Sequence, residues 1–255
     1  RKDGRSAILR STPHPLTPPA WVSLVTGRSP GHHGVYDFVR FDDRGDEVFF
    51  TLYDARDIRK ETIWSIASRQ KRSVVSLNFP MMAPVSPING SLVPGFVSWK
   101  HLKMNVTPPE LYGRLKAIPG FNARELAWDF ERESLIGEMM TQAELEAWVS
   151  GHMPREEQWF NIAKTLLDED APDLFAVMFD GTDKLQHQVW HVLDPGRIEK
   201  GLSPDDQRLR AMTLDYFRTL DGYIERLVAA AGPHLGLRRP VHELGAVVAV
   251  RVIDA

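Results

Sequence analysis

The sequence predicts an α/β fold with a largely parallel sheet flanked by helices. The first observation behind this is alternation. Short apolar runs at 73–79 (Ser-Val-Val-Ser-Leu-Asn-Phe) and 173–179 (Asp-Leu-Phe-Ala-Val-Met-Phe) are separated by stretches of helical spacing rather than following one another. The second is bulk: 255 residues, 43% hydrophobic and 25% charged, are enough to bury a core in one large domain or two small ones.

The elements read in order as follows. Residues 7–12 form a short strand, followed by a proline-rich loop at 13–19. A helix then places Ala20, Trp21, Leu24 and Val25 on one face and stops at Gly27. Thr17 before Pro18 fits an N-cap with proline at the first helical position. Residues 36–53 alternate around Asp42-Asp43-Arg44-Gly45 and predict a hairpin. A helix at 61–71, with Ile63, Trp64, Ile66 and Ala67 inward, leads into the strand 73–79. A long Pro/Gly loop spans 80–95.

Thr107-Pro-Pro-Glu110 and Thr141-Gln-Ala-Glu144 both have capping-box spacing. Their helices and one at 154–167 predict a helical cap inserted at 102–167, within a core made of 1–101 and 168–255. After the strand 173–179, residues 180–194 read as partly helical and rich in Asp and His. Ser203-Pro-Asp-Asp206 caps a long helix to about Ala231, with Met212, Tyr216, Leu220, Tyr223 and Leu227 inward. The apolar run 244–253 reads as a strand that stops almost at the chain end, and the chain opens on Arg1 rather than methionine. The expectation is a fold incomplete at both ends.

Composition narrows the function. A net charge of -3 argues against nucleic-acid binding. The absence of cysteine excludes disulfides and thiolate metal sites, and suits a reducing, cytoplasmic setting. There is no run of 18 apolar residues to span a membrane and no visible signal peptide. Oligomeric state is not legible.

Three segments could carry chemistry. A hydroxyl at a helix start, such as that of Thr17, lies near a positive dipole end and can attack a bound phosphoryl group if a metal lowers its pKa. The spacing equally fits a plain cap. Asp183 and His187 are four residues apart and share a helical face just after a strand, where parallel sheets bind ligands. A carboxylate with an imidazole suits zinc, but a surface pair has the same spacing. His191 lies one further turn on. The segment from Gly27 to Gly34 holds His32 and His33 and lacks the lysine of a phosphate loop; it reads as a turn that leaves the helix, with His33 holding it.

Taken together, these blocks resemble the alkaline phosphatase superfamily, in its phosphohydrolase/phosphomutase and type I phosphodiesterase/nucleotide pyrophosphatase branch. The resemblance rests on Thr17-Pro-Pro-Ala-Trp-Val-Ser-Leu-Val-Thr-Gly27, Pro30-Gly31-His32-His33-Gly34, Asn78-Phe-Pro-Met81 and Asp183-Lys-Leu-Gln-His187, in that order. It implies an alkaline-phosphatase-like fold and an esterase with two divalent ions, zinc or alternatively manganese, acting on a small phosphorylated substrate. Thr17 would be the nucleophile and would also touch one metal. Asp183 and His187 would be ligands of the other. The implied path runs through a covalent phosphothreonine that a metal-activated water hydrolyses. The chain departs from the family pattern in lacking an Asp before Thr17 at a strand end and any Asp-His dipeptide. A non-catalytic remnant and a phosphomutase-type transferase are the alternatives. A sulfatase is disfavoured, because its Cys/Ser-x-Pro-x-Arg segment is absent.

Overall fold

A computed structural model describes residues 10–126, 140–232 and 246–247. In chain order the helices and strands are α1 (Thr17–Thr26), α2 (Pro30–His33), β1 (Val39–Asp43), β2 (Val48–Leu52), α3 (Ile63–Arg69), β3 (Val74–Leu77), β4 (Gly90–Val93), α4 (Trp99–Leu102), α5 (Leu111–Ala117) and α6 (Ala123–Leu126). They continue with α7 (Gln142–Ser150), α8 (His152–Asp170), β5 (Leu174–Val177), α9 (Gly181–Leu193), α10 (Pro195–Ile198), α11 (Pro204–Ala231) and β6 (Ala246–Val247).

The central sheet has the order β4-β3-β5-β6, and all its pairings are parallel. β3 is buried along its whole length because both faces are covered. Val75 and Leu77 face a core with Trp159 and Phe160 of α8 and Leu227 of α11. Val74 faces the other side, towards Val25 of α1 and Trp64 of α3. A third cluster joins α7, α9 and α11 through Trp148, Leu185, Val189, Leu209 and Tyr216. The expected α/β architecture with a parallel sheet between helices is the observed one.

Several local expectations change. The expected strand 7–12 lies mostly outside the described residues, and its described part, 10–12, forms no strand. Leu16, not Thr17, is the N-cap of α1, and Thr17 is the first helical residue. The buried face of α1 is Pro18, Val22 and Val25, while Leu24 is 38% exposed. The loop 80–95 contains the strand β4, whose Ser91, Leu92 and Val93 are buried. β4 begins at Gly90 with φ +136°, where an added Cβ would collide with the Val74 backbone. Thr107 caps no helix, because its backbone exchanges hydrogen bonds with Leu92 at 2.8 and 3.0 Å. Thr141 does form its capping box with Glu144, and Ser203 accepts from the Asp206 N–H. Of the expected insertion 102–167, the helix α8 lies directly on the sheet. The predicted hairpin is β1–β2, with Phe41, Phe50 and Leu52 each at least 68% exposed. Of the last expected strand, 244–253, residues 246–247 are described, and they pair with β5.

Phe160 is 2% exposed and stacks on Tyr223 at 4.5 Å between ring centroids. Phe160→Ala should destabilise the fold by about 3–5 kcal/mol in urea unfolding; a loss below about 1 kcal/mol would contradict this packing.

Candidate active site at the carboxyl edge of the sheet

Residues 78–79 and 178–181 leave β3 and β5 at the carboxyl edge of the sheet, where ligands bind in open parallel sheets. The start of α1 reaches the same edge, because Trp21, one turn beyond Thr17, meets Phe79 edge-on at 5.6 Å.

Two consecutive prolines shape that start. Pro18 and Pro19 have no N–H, Leu16 N–H is bonded to His14 O, and Ala20 N–H to Leu16 O. Among the described residues, this leaves the Thr17 amide as the one N–H at this helix end without a backbone partner. Thr17 is half-buried, and its hydroxyl makes no hydrogen bond to another described residue. This helix start therefore offers an anion one amide and one hydroxyl.

The helix is held in place by the segment that follows it. Gly27 terminates α1 at φ +62°, and Gly34 ends α2 at φ +85°. His33 is fully buried, and this pushes its imidazole below the usual histidine range, towards the neutral form. Its Nδ1 accepts from the Val35 N–H at 3.2 Å, so the proton is on Nε2, 2.9 Å from Ser23 Oγ on α1. His33 is thus a strut, as its sequence context predicted.

Asp183 and His187 lie one turn apart on the exposed side of α9, with Asp183 Oδ1 at 3.4 Å from His187 Nε2. The structure draws this pair together, and Thr17 is hydrogen-bonded to neither member. Among the described residues, no group of three His, Asp or Glu side chains converges on one point. His191 instead faces Asp206 at 3.5 Å.

Beneath α9 is a buried polar cluster that the sequence reading did not single out. Asp180 is 5% exposed, and its Oδ2 lies 3.0 Å from Arg155 Nη2 and 3.4 Å from Lys184 Nζ. Asn78 Nδ2 donates to Asp180 Oδ1 at 3.2 Å and to Met178 O at 2.9 Å, tying the ends of β3 and β5 together. Asn78 does this from the left-handed region, at φ +66°. Its amide orientation follows from these partners, because the flipped form would set its one oxygen against two acceptors. Burial alone would raise the Asp180 carboxyl, but Arg155, Lys184 and the Asn78 amide outweigh it and hold the carboxyl down at about 2.

Glu156 is fully buried beside Asp180. Its Oε1 accepts from the Gly181 N–H at 2.7 Å and from the Tyr216 hydroxyl at 2.9 Å. Burial, with the Asp180 charge next, pushes this carboxyl up to about 7. A sequence signal for the cluster did exist. Arg155 and Glu156 continue the apolar stripes 159–162–166 and 160–163–167 of α8, so both had to point inward.

The family described as type I phosphodiesterase / nucleotide pyrophosphatase matches residues 1–242. No curated protein matches the chain. A solved structure of phosphonoacetate hydrolase from Sinorhizobium meliloti 1021, in complex with phosphonoacetate, is similar to it at 18% identity and a TM-score of 0.38. That likeness covers 84% of this chain and 44% of the other, so the chain spans less than half the length of this neighbour.

Asp180→Ala removes the buried carboxylate that Arg155 and Lys184 share and should cost about 3–5 kcal/mol in urea unfolding. Opposite pH slopes follow from the two acids. The stability that ionised Asp180 confers is present above its unfolded value of 3.8 and is lost as pH falls towards about 2. Glu156, with its raised value, favours the fold fully below its unfolded 4.5 and loses that contribution as pH rises through about 7. Measured from pH 4.5 to 8, the unfolding free energy of the wild type should therefore fall relative to that of Glu156→Gln, since His33 and the other groups act in both; parallel curves would refute this assignment.

Proposed function

Because the chain belongs to the type I phosphodiesterase/nucleotide pyrophosphatase family of the alkaline phosphatase superfamily, we propose that it is a divalent-metal-dependent phosphoester hydrolase with Thr17 as nucleophile. Asp183 and His187 are ligands of one metal ion, and Thr17 touches another. Zinc is the preferred ion and manganese the alternative. The substrate is a small phosphorylated molecule, selected by residues of the segment 102–167 ahead of α8.

One observation carries the reading: the Asp183–His187 contact of 3.4 Å on the solvent side of α9. Two donors at about 2.0–2.2 Å from a tetrahedral zinc ion are themselves about 3.4 Å apart, so the separation of this pair is compatible with two positions of such a shell. The donor chemistry fits as well, since carboxylate and imidazole are common partners of zinc and manganese.

The start of α1 supports the same reading from the other side. A single amide and a hydroxyl cannot offset the charge of a phosphoryl group, so cations must do so. A bound divalent ion would supply Lewis acidity that lowers the hydroxyl pKa and offsets charge on the phosphoryl oxygens. Thr17 Oγ1 then forms a bond to phosphorus as the ester P–O bond opposite it breaks. The hydroxyl gives up its proton, and the leaving alcohol takes one up. The Thr17 N–H, directed out of the helix start, is placed to donate to a phosphoryl oxygen. Water cleaves the phosphothreonine in the second half and restores the hydroxyl.

The rival reading is a fold that has lost its metal site. It draws on the absence of a third convergent ligand among the described residues. Zinc titration separates the two. Uptake that is lost in Asp183→Ala and His187→Ala supports the hydrolase, and no uptake by the wild type favours the remnant.

Thr17→Ala should lower hydrolysis of a chromogenic phosphodiester by at least about 10³-fold, since loss of a covalent nucleophile costs up to about 10⁶ in kcat. Thr17→Ser should keep measurable turnover. Chelation should abolish activity and added zinc restore it. Wild-type rates in Thr17→Ala would overturn the nucleophile assignment.

A further inference from the structure

We propose that Glu156 is a positioning residue for Asp183 and His187, acting through the Gly181 amide in partnership with the Tyr216 hydroxyl. The proposal rests on the reading of Asp183 and His187 as metal ligands.

The first argument is the missing cap. Asp180 is the N-cap of α9, and an Asp there ordinarily accepts from the first amides of its own helix. Here its side chain makes no capping bond and turns to Asn78, Arg155 and Lys184 instead. The orphan amide of Gly181 is taken up by Glu156, a residue of another helix, at 2.7 Å. A single oxygen, Glu156 Oε1, thus joins α8, α9 and α11.

The fit at this point is built. A Cβ on Gly181 would collide with Tyr216 Oη and Glu156 Oε1, so only glycine lets the three groups meet. The arrangement also carries a cost that packing does not explain. Glu156 Oε2 is buried with no hydrogen-bond partner among the described residues, and an aliphatic side chain there would avoid that penalty.

The consequence falls on the two ligands. Asp183 is two residues beyond Gly181, and His187 four beyond Asp183. Val189, two residues after His187, has φ -116° and ψ 18°, which breaks the α-helical geometry. The first two turns of α9 take their orientation from the packing of Leu185 together with the anchors at their start, and Glu156 holds the first amide among those anchors.

The test uses the whole chain with zinc as probe. Zinc affinity of the folded protein is measured by calorimetry, and amide exchange is followed from Gly181 to His187. Glu156→Gln retains Oε1 as acceptor, and its zinc affinity should stay within about threefold of wild type. Glu156→Leu should weaken zinc binding by about 10–100-fold, the range for groups that orient metal ligands, and speed Gly181 exchange. Should Glu156→Leu fail to fold, Tyr216→Phe removes one hydrogen bond at the same oxygen and should shift both readouts in the same direction. Trp64→Ala, which opens a cavity on the other face of the sheet, should shift neither beyond its global effect. Unchanged exchange and affinity in Glu156→Leu, or in Tyr216→Phe if the former does not fold, would overturn the proposal. If the wild type takes up no zinc, the metal reading fails on its own. The positioning claim then stands on faster exchange across residues 181–187 in these variants, and falls if exchange is unchanged.

Discussion

The carboxyl edge of the sheet depends on burial of one anion. Asp180 sits at the exit of β5 with almost no solvent contact, where an uncompensated carboxylate would cost several kcal/mol. Arg155 arrives from α8, Lys184 from one turn further along α9, and Asn78 from the end of β3. All three converge on that one carboxylate. The ends of two strands and the first turn of α9 are therefore aligned by electrostatics, while the apolar clusters on each sheet face hold the layers together. Packing alone would leave the register between α9 and β3 open, because apolar contact is non-directional. Hydrogen bonds to an ionised group are directional, and these close it.

How much of this was legible depends on the range of the contacts. The parallel sheet followed from the alternation of runs 73–79 and 173–179 with helices, and α11 from Ser203 and its inward stripe. β4 escaped because a strand of four residues framed by proline and glycine has no period to read. The cap of α1 slipped by one residue because two successive prolines fit the first helical turn in either register. The Asp183–His187 contact was legible, since helical spacing alone creates it. The cluster beneath it was not assembled from sequence. Asn78 and Asp180 are 102 residues apart, and Tyr216 and Glu156 are 60 apart, distances at which spacing carries no geometric information. What spacing did offer was weaker: two charged residues on the apolar stripes of α8, which imply burial but name no partner.

Two helix starts at this edge differ in what they offer. α1 has had its amide donors stripped by Pro18 and Pro19, so its first turn offers a hydroxyl, one amide and little else. An anion placed there needs positive charge from outside the helix. α9 keeps its first amide but hands it to Glu156, so that amide is engaged within the protein. The exposed side of α9 presents Asp183 and His187, paired at 3.4 Å. The α1 start thus carries one open amide and a hydroxyl, and the α9 start carries an engaged first amide with a carboxylate and an imidazole.

That division explains why the buried acids differ. Asp180 must stay ionised to hold Arg155 and Lys184, and those cations keep its carboxyl low. Glu156 needs only an acceptor oxygen for Gly181 and Tyr216, which a neutral acid supplies as well as an anion. Its raised carboxyl is consistent with that lesser demand. If both were ionised, two anions would share a dry pocket, and their repulsion would act on the backbone segment that carries Asp183. Keeping one acid charged and its neighbour near neutrality fixes the first turn of α9 without setting like charges against each other beneath Asp183 and His187.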